Sequence, residues 1–156
     1  MLNAVLRELN NYFIKYTNGV ANFTFSKEVT FTSNDTLTAT SFADTFIAGE
    51  YIHIEGTRVN DGVYLISAID ATTITIDATV DFTITNEPEV STTLTKLYIP
   101  DDVIQLVDEI NTYNTNNEDG VVSESQGNRS VTFDGGSSWR KAFSKRLSSY
   151  RKVRWC

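Results

Sequence analysis

The stretch "YIHIEGTRVNDGVYLISAIDATTITID", residues 51–77, decides how this chain is read. Its apolar residues alternate with polar ones: Ile52 and Ile54 point one way, while Tyr51, His53 and Glu55 point the other. Period-two alternation built from Ile, Val, Tyr and Thr suits a pleated, half-buried surface, so the stretch predicts strands and not a helix. Three strands fit it, "YIHIEG" (51–56), "VYLISAI" (63–69) and "TITID" (73–77), with Asn60-Asp61-Gly62 as the first turn. Outward in both directions the same character continues from about Phe23 to Ile99. "VTFT" (29–32), "TLTAT" (36–40), "DFTIT" (81–85) and "TLTKLYI" (93–99) alternate likewise, and Ser33-Asn34-Asp35 and Ala48-Gly49 break the runs. Short strands at roughly ten-residue intervals predict a small sandwich or barrel.

Helical patterns flank this β block. Leu2, Val5, Leu6, Leu9 and Phe13 share one face of a helix predicted over residues 2–15, with Arg7, Glu8 and Asn10 opposite. "TNG" (17–19) would stop it, Gly19 acting as a left-handed cap. After Pro100, Asp101 and Asp102 suit the positive end of a helix dipole, and Val103, Ile104, Val107 and Ile110 form its stripe, flanked by Leu106 and Tyr113. "NTNNEDG" (114–120) reads as a loop and residues 121–133 as a hairpin turning at Gly127-Asn128. "DGGSS" (134–138) breaks the chain and supplies Ser137 or Ser138 to cap a last helix. Trp139, Phe143, Leu147 and Tyr150 make that helix's buried stripe.

The expected class is α+β. Three main helices and a hairpin, from residues 1–20 and 100–156, would form a small helical bundle. Residues 21–99 would be an inserted all-β sandwich or barrel-like domain.

Charge is unevenly spread. The chain holds 13 Lys or Arg and 20 Asp or Glu, a net charge of −7. Seven of those cations, and no carboxylate side chain, fall within residues 139–156, whereas residues 1–138 balance at −14. The cationic set is Arg140, Lys141, Lys145, Arg146, Arg151, Lys152 and Arg154, with Trp155 beside the last. Three roles are open to it: docking on an acidic protein, contact with DNA through interleaved bases and rings, or a solvated basic face. The acidic remainder repels phosphate at longer range, which favours a protein partner.

Chemistry of the catalytic kind is sparse. His53 is the lone histidine; alternation places it opposite Ile52 and Ile54, as a solvent-facing strand residue with no second His for a metal pair. No Gly-x-Ser-x-Gly, phosphate-loop or dinucleotide fingerprint occurs. Asn60-Asp61-Gly62 lacks the further ligands of a calcium loop, and Asp101-Asp102 diverge by about 100° on a helix. Cys156 is the one cysteine, so no intrachain disulfide forms. No apolar run reaches the roughly 18–20 residues needed to cross a bilayer, and "MLNAVLRELNNYF" lacks signal-peptide features. A soluble protein made inside the cell, without catalytic residues, metal or cofactor, is expected.

Two segments carry a resemblance. Ser123-Glu124-Ser125-Gln126-Gly127-Asn128-Arg129-Ser130 and Leu147-Ser148-Ser149-Tyr150-Arg151-Lys152-Val153-Arg154, with "IPDDV" upstream, resemble the C-terminal half of head–tail connector (adaptor) proteins of tailed bacteriophages. "IHIEGTRVNDGVYLISAI" also looks like a strand–turn–strand unit of phage structural proteins. The likeness covers residues 99–156 well and 1–19 loosely; the β block departs from it. It implies a homo-oligomeric ring, a dodecamer, in the neck of a virion assembled in the host cytoplasm. Such a ring docks on the portal protein, meets a tail or stopper protein, and passes genome DNA without reading its sequence or touching a membrane. The terminal segment would reach the portal, with Ser123, Glu124, Gly127, Asn128 and Arg129 marking the hairpin. A competing reading is a virion module whose β block binds a host-surface carbohydrate or protein, with Tyr51 and Tyr64 as candidate stacking rings.

Overall fold

The computed structural model describes residues 1–42, 45–77, 83–117, 123–126, 129–132 and 139–152. Six antiparallel strands close into a barrel: β3 (Thr24–Thr32), β4 (Thr36–Thr38), β5 (Tyr51–Glu55), β6 (Gly62–Ile69), β7 (Thr73–Ile76) and β8 (Glu87–Leu97), in the order β3-β4-β7-β6-β5-β8. Alternation fills it. Phe25, Val29 and Phe31 of β3, Leu37 of β4, Ile52 and Ile54 of β5, Tyr64 and Ile66 of β6, Ile74 and Ile76 of β7, and Leu94 of β8 share one interior cluster. Phe42, Phe46 and Ile84 join it from the connections, with the Phe25 and Phe42 ring centroids 5.0 Å apart. Closure removes the open edges that a sheet of Thr- and Ile-rich strands would otherwise expose.

The remaining elements are α1 (Leu2–Leu9), the two-residue strands β1 (Tyr16–Thr17) and β2 (Val20–Ala21), α2 (Asp101–Asn117), β9 (Ser123–Gln126), β10 (Arg129–Thr132), α3 (Trp139–Ala142) and α4 (Ser144–Ser148). A helical bundle carrying an inserted β domain is therefore not the architecture. The fold is mostly β, and the helices lie as a layer on the barrel's outer wall. The reason is visible in the second apolar cluster: Leu2, Leu6 and Leu9 of α1, Val103, Leu106 and Ile110 of α2, and Trp139 and Leu147 pack together with Val63 of β6 and Leu97 of β8. Four short one-sided helices bury their stripes by using the wall as a further partner. Leu106, fully buried, belongs to the centre of the α2 stripe and not to its flank.

Asn3 joins the two layers. Its Nδ2 donates to the Val63 carbonyl at 3.0 Å, and its Oδ1 accepts from the Val63 N–H at 2.7 Å, all buried. On the β7 side, β6 begins pairing only at Ile66, so the Asn3 amide takes the place of a missing neighbour strand there.

Several boundaries differ from expectation for local reasons. α1 ends at Leu9 because Asn10 adopts a left-handed conformation (φ 50°) and caps it with its own N–H. Phe13 (φ 53°), predicted on the helix, lies beyond it in a turn held by the Asn11 side chain. "TNG" is not a helix cap: Asn18 (φ 52°) and Gly19 (φ +80°) form the two-residue turn of the β1–β2 hairpin, and left-handed geometry at both positions is the type I′ pattern that suits strand twist. Thr83–Thr85 are not a strand; residues 81–82 lie outside the described set. Ile84 is instead plugged into the barrel, its N–H bonded to Asp35 Oδ1 at 2.9 Å. α2 runs on to Asn117, through part of the predicted loop. The last helix breaks at Phe143 (φ −103°, ψ 9°) into α3 and α4. The capping serines 137 and 138 lie outside the described residues.

Candidate binding surface at the basic C-terminal segment

Trp139 and Leu147 anchor this segment in the helical layer, and Tyr113 of α2 meets Phe143 edge-on at 5.6 Å. Beyond α4 the backbone is tied to the start of the chain. Lys152 N–H donates to the Leu9 carbonyl at 3.1 Å, and Asn11 Nδ2 donates to the Tyr150 carbonyl at 3.1 Å.

The cations then divide. Arg140 Nε donates to Glu8 Oε2 at 2.9 Å, and Arg151 pairs with the other oxygen of the same carboxylate. Arg146 forks onto Glu109 of α2 with both terminal nitrogens, which raises its pKa further above the ordinary guanidinium range. At least three of the seven cations predicted to meet a partner, Arg140, Arg146 and Arg151, thus meet carboxylates of their own chain. Glu8 stands on the polar face of α1, and a helical wheel shows that face but not what crosses it. Lys145 and Lys141 are exposed on the outer side of α3 and α4. Lys152 lies over the Tyr16 ring at 5.4 Å. Arg154 and Trp155 lie outside the described residues, as do Gly127 and Asn128. The strands either side of that turn pair antiparallel, Arg129 opposite Gln126 and Thr132 opposite Ser123, which sets Ser123, Glu124 and Arg129 in the β9–β10 ladder.

His53 is not solvent-facing. It does lie opposite Ile52 and Ile54, but that outer face is covered by the segment after α1, where Tyr12 stacks on its ring (centroids 4.2 Å apart, 18° between planes). Burial holds its pKa below the ordinary histidine value, against the opposing pull of Glu55 and Asp61. Nδ1 has no hydrogen-bond partner among the described residues; Glu55 Oε2 is 3.7 Å away. Tyr64, proposed as a sugar-stacking ring, is inside the barrel at 3% exposure. Its hydroxyl donates to the Asn60 carbonyl, and burial pushes its pKa up to about 12. Tyr51 is half-buried against the helical layer.

One end of the barrel is closed by a network that residue patterns did not disclose. Asn60, 1% exposed, donates from Nδ2 to the Thr85 carbonyl and to Glu87 Oε2, each at 3.0 Å. It accepts the Thr85 N–H on Oδ1 at 2.9 Å. Glu87 Oε1 accepts the Arg58 N–H at 2.8 Å, and Asp61 Oδ1 accepts the Thr57 N–H and hydroxyl at 2.8 Å. Asn60-Asp61-Gly62 is therefore the keystone of a long turn, every carboxylate spent on backbone or side-chain donors. Among the described residues no three His, Cys, Asp or Glu side chains gather as metal ligands, and no helix is long and apolar enough to cross a membrane.

These features define the class as a closed six-stranded antiparallel barrel with a helical layer on its wall, the basic segment being clasped to α1 and α2 within that layer. No family model, curated protein or solved structure matches the chain.

Proposed function

We propose that this chain is a structural head–tail connector of a tailed phage, one subunit of a ring that joins portal to tail and lines the DNA channel. The observation that carries the reading is the terminal segment. The residues that resemble the connector motif, Leu147 to Lys152, dock on α1 and α2 as part of one packed layer, with the paired β9–β10 strands preceding them. An acidic body suits a channel wall, since it lets DNA slide where a basic wall would hold it. The arginines tied to Glu8 and Glu109 fix the segment, and Lys145, exposed on α4, is the cation offered to the portal.

Mixing the protein with the portal protein of the same genome, and weighing the product by native mass spectrometry, tests this. A complex of defined copy number is expected. Because Trp139 and Leu147 are core residues, deletion from Trp139 onward would unfold the layer, so the discriminating variant is Lys145→Glu with Arg154→Glu. It should remain folded and lose portal docking. Unchanged docking would remove the segment from the contact, and no complex with the wild-type chain would sink the connector reading.

A further inference from the structure

The β1–β2 hairpin carries an exposed amphipathic knob. Tyr16, Val20 and Phe23 are 52%, 69% and 52% exposed, among the few large apolar side chains so displayed. Lysines interleave with these rings. Lys15 Nζ sits 3.7 Å from the centroid of Tyr98, Lys152 lies over Tyr16, and Lys96, itself paired with Glu50, is 5.2 Å from Phe23. The tight Asn18-Gly19 turn makes the knob stiff, so little conformational freedom is lost when it docks.

The barrel wall offers the complement. Glu28 and Thr30 of β3, Thr38 of β4, Ala39, Thr40 and Glu89 of β8 line an open groove of about 340 Å³. It is a size that admits an aromatic side chain and a lysine terminus together, and it presents two carboxylates among hydroxyls. The hairpin cannot fill the groove of its own chain. Thr24, which follows Phe23, and Glu28 are four residues apart on β3, roughly 14 Å at about 3.4 Å per residue.

We propose that the β1–β2 hairpin, with Lys15 and Lys152, docks into the Glu28/Glu89 groove of a second copy of this chain. The two surfaces differ, so the contact is head to tail and propagates until it closes on itself. A polyanion is the weaker occupant, because the knob stands on a body of net charge −7. At physiological salt the screening length of about 8 Å suppresses body–body repulsion and leaves the local complementarity. No step of this relies on the connector reading. A chain that self-associates but ignores the portal keeps the contact and loses that function, and the reverse result separates them equally.

The test is sedimentation of the isolated full chain across concentration, with two charge-reversal variants: Lys15→Glu/Lys152→Glu and Glu28→Lys/Glu89→Lys. Wild-type mass should rise with concentration. Each variant should associate about tenfold or more weakly, and an equimolar mixture of the two should recover wild-type association. Tyr16→Ser/Val20→Ser, which leaves charge untouched, should weaken it as well, and circular dichroism verifies that each variant is folded. A wild-type chain that stays monomeric, or variants that associate as wild type does, overturns the proposal. So does a wild-type monomer whose hairpin is protected instead by single-stranded oligonucleotide or anionic vesicles.

Discussion

Replacing Asn3 by Ala tests whether barrel and helices are one cooperative structure. The side chain satisfies both backbone groups of Val63, a residue only 1% exposed, at 3.0 and 2.7 Å. Removing it leaves a buried N–H and a buried C=O without partners, each costing about 1–3 kcal/mol. Entry of a water into the vacated space offsets part of that, so a net loss of about 2–4 kcal/mol is expected. For a chain of this size that corresponds to a fall in melting temperature of roughly 5–15 °C. Two probes should be followed in urea. Trp139 fluorescence, in a Trp155→Phe background, reports the helical layer, and hydrogen exchange of β3 amides reports the barrel. Both should lose the same free energy, because Val63 and Leu97 lie in the core that the helices also share. A shift in Trp139 fluorescence with unchanged β3 protection would mean that the helices unfold on their own. A loss below about 0.5 kcal/mol in both probes would mean that the Val63 groups are not truly desolvated.

Further perturbations give sharper local answers. His53 is held neutral by burial, its folded pKa lying below that of the unfolded chain; its contribution is present above about pH 6.5 and is lost as pH falls. Unfolding free energy should therefore decline from pH 7 to 5, and His53→Phe, which retains the stack on Tyr12, should flatten that slope; an equal slope in the variant would refute the assignment. Gly56→Ala should cost about 2–4 kcal/mol, combining a left-handed backbone (φ +95°) with a methyl 3.0 Å from the Ser91 carbonyl, whereas Gly49→Ala (φ +87°, open space) should cost about 1–2. Equal melting temperatures for the two would contradict the close approach. Glu8→Ala breaks the pairs to Arg140 and Arg151, both about half exposed. It should change global stability by no more than about 1–2 kcal/mol while speeding exchange of amides 139–152, an effect that high salt should reproduce in the wild type.

What the sequence disclosed depended on whether the signal was local. Ile52, Ile54, Ile74 and Ile76 declare their inward face by alternation, and all four are in the barrel. The α2 start was legible because Pro100, Asp101 and Asp102 act within one turn. Phe13 was misleading: it continues the helical spacing of Leu2, Val5, Leu6 and Leu9, yet Asn10 has already turned the chain. Amphipathicity states that a helix needs a partner without naming it, so the stripe of α1 points to a bundle when part of its partner is the barrel wall. The same limit hid the tail's ion pairs. Seven cations in eighteen residues advertise charge, but Glu8 and Glu109 are distant in sequence and unremarkable on their own helices. Asn60 was visible only as a turn residue; its grip on Thr85 and Glu87 spans 25 and 27 positions.

The clasp between Glu8 and Arg151 also sets an order of events. α1 leaves the ribosome well before its partner, since its carboxylate meets Arg151 only 143 residues later. At roughly 5–20 residues per second, α1 therefore waits several seconds with its apolar stripe uncovered by α3 and α4, while β3 and β8 are still being brought together to close the barrel. The helical layer is thus the last part of the molecule to mature. A chain stalled before Trp139 would present that stripe as a sticky surface, so it is the arrival of the basic segment that lets the layer close.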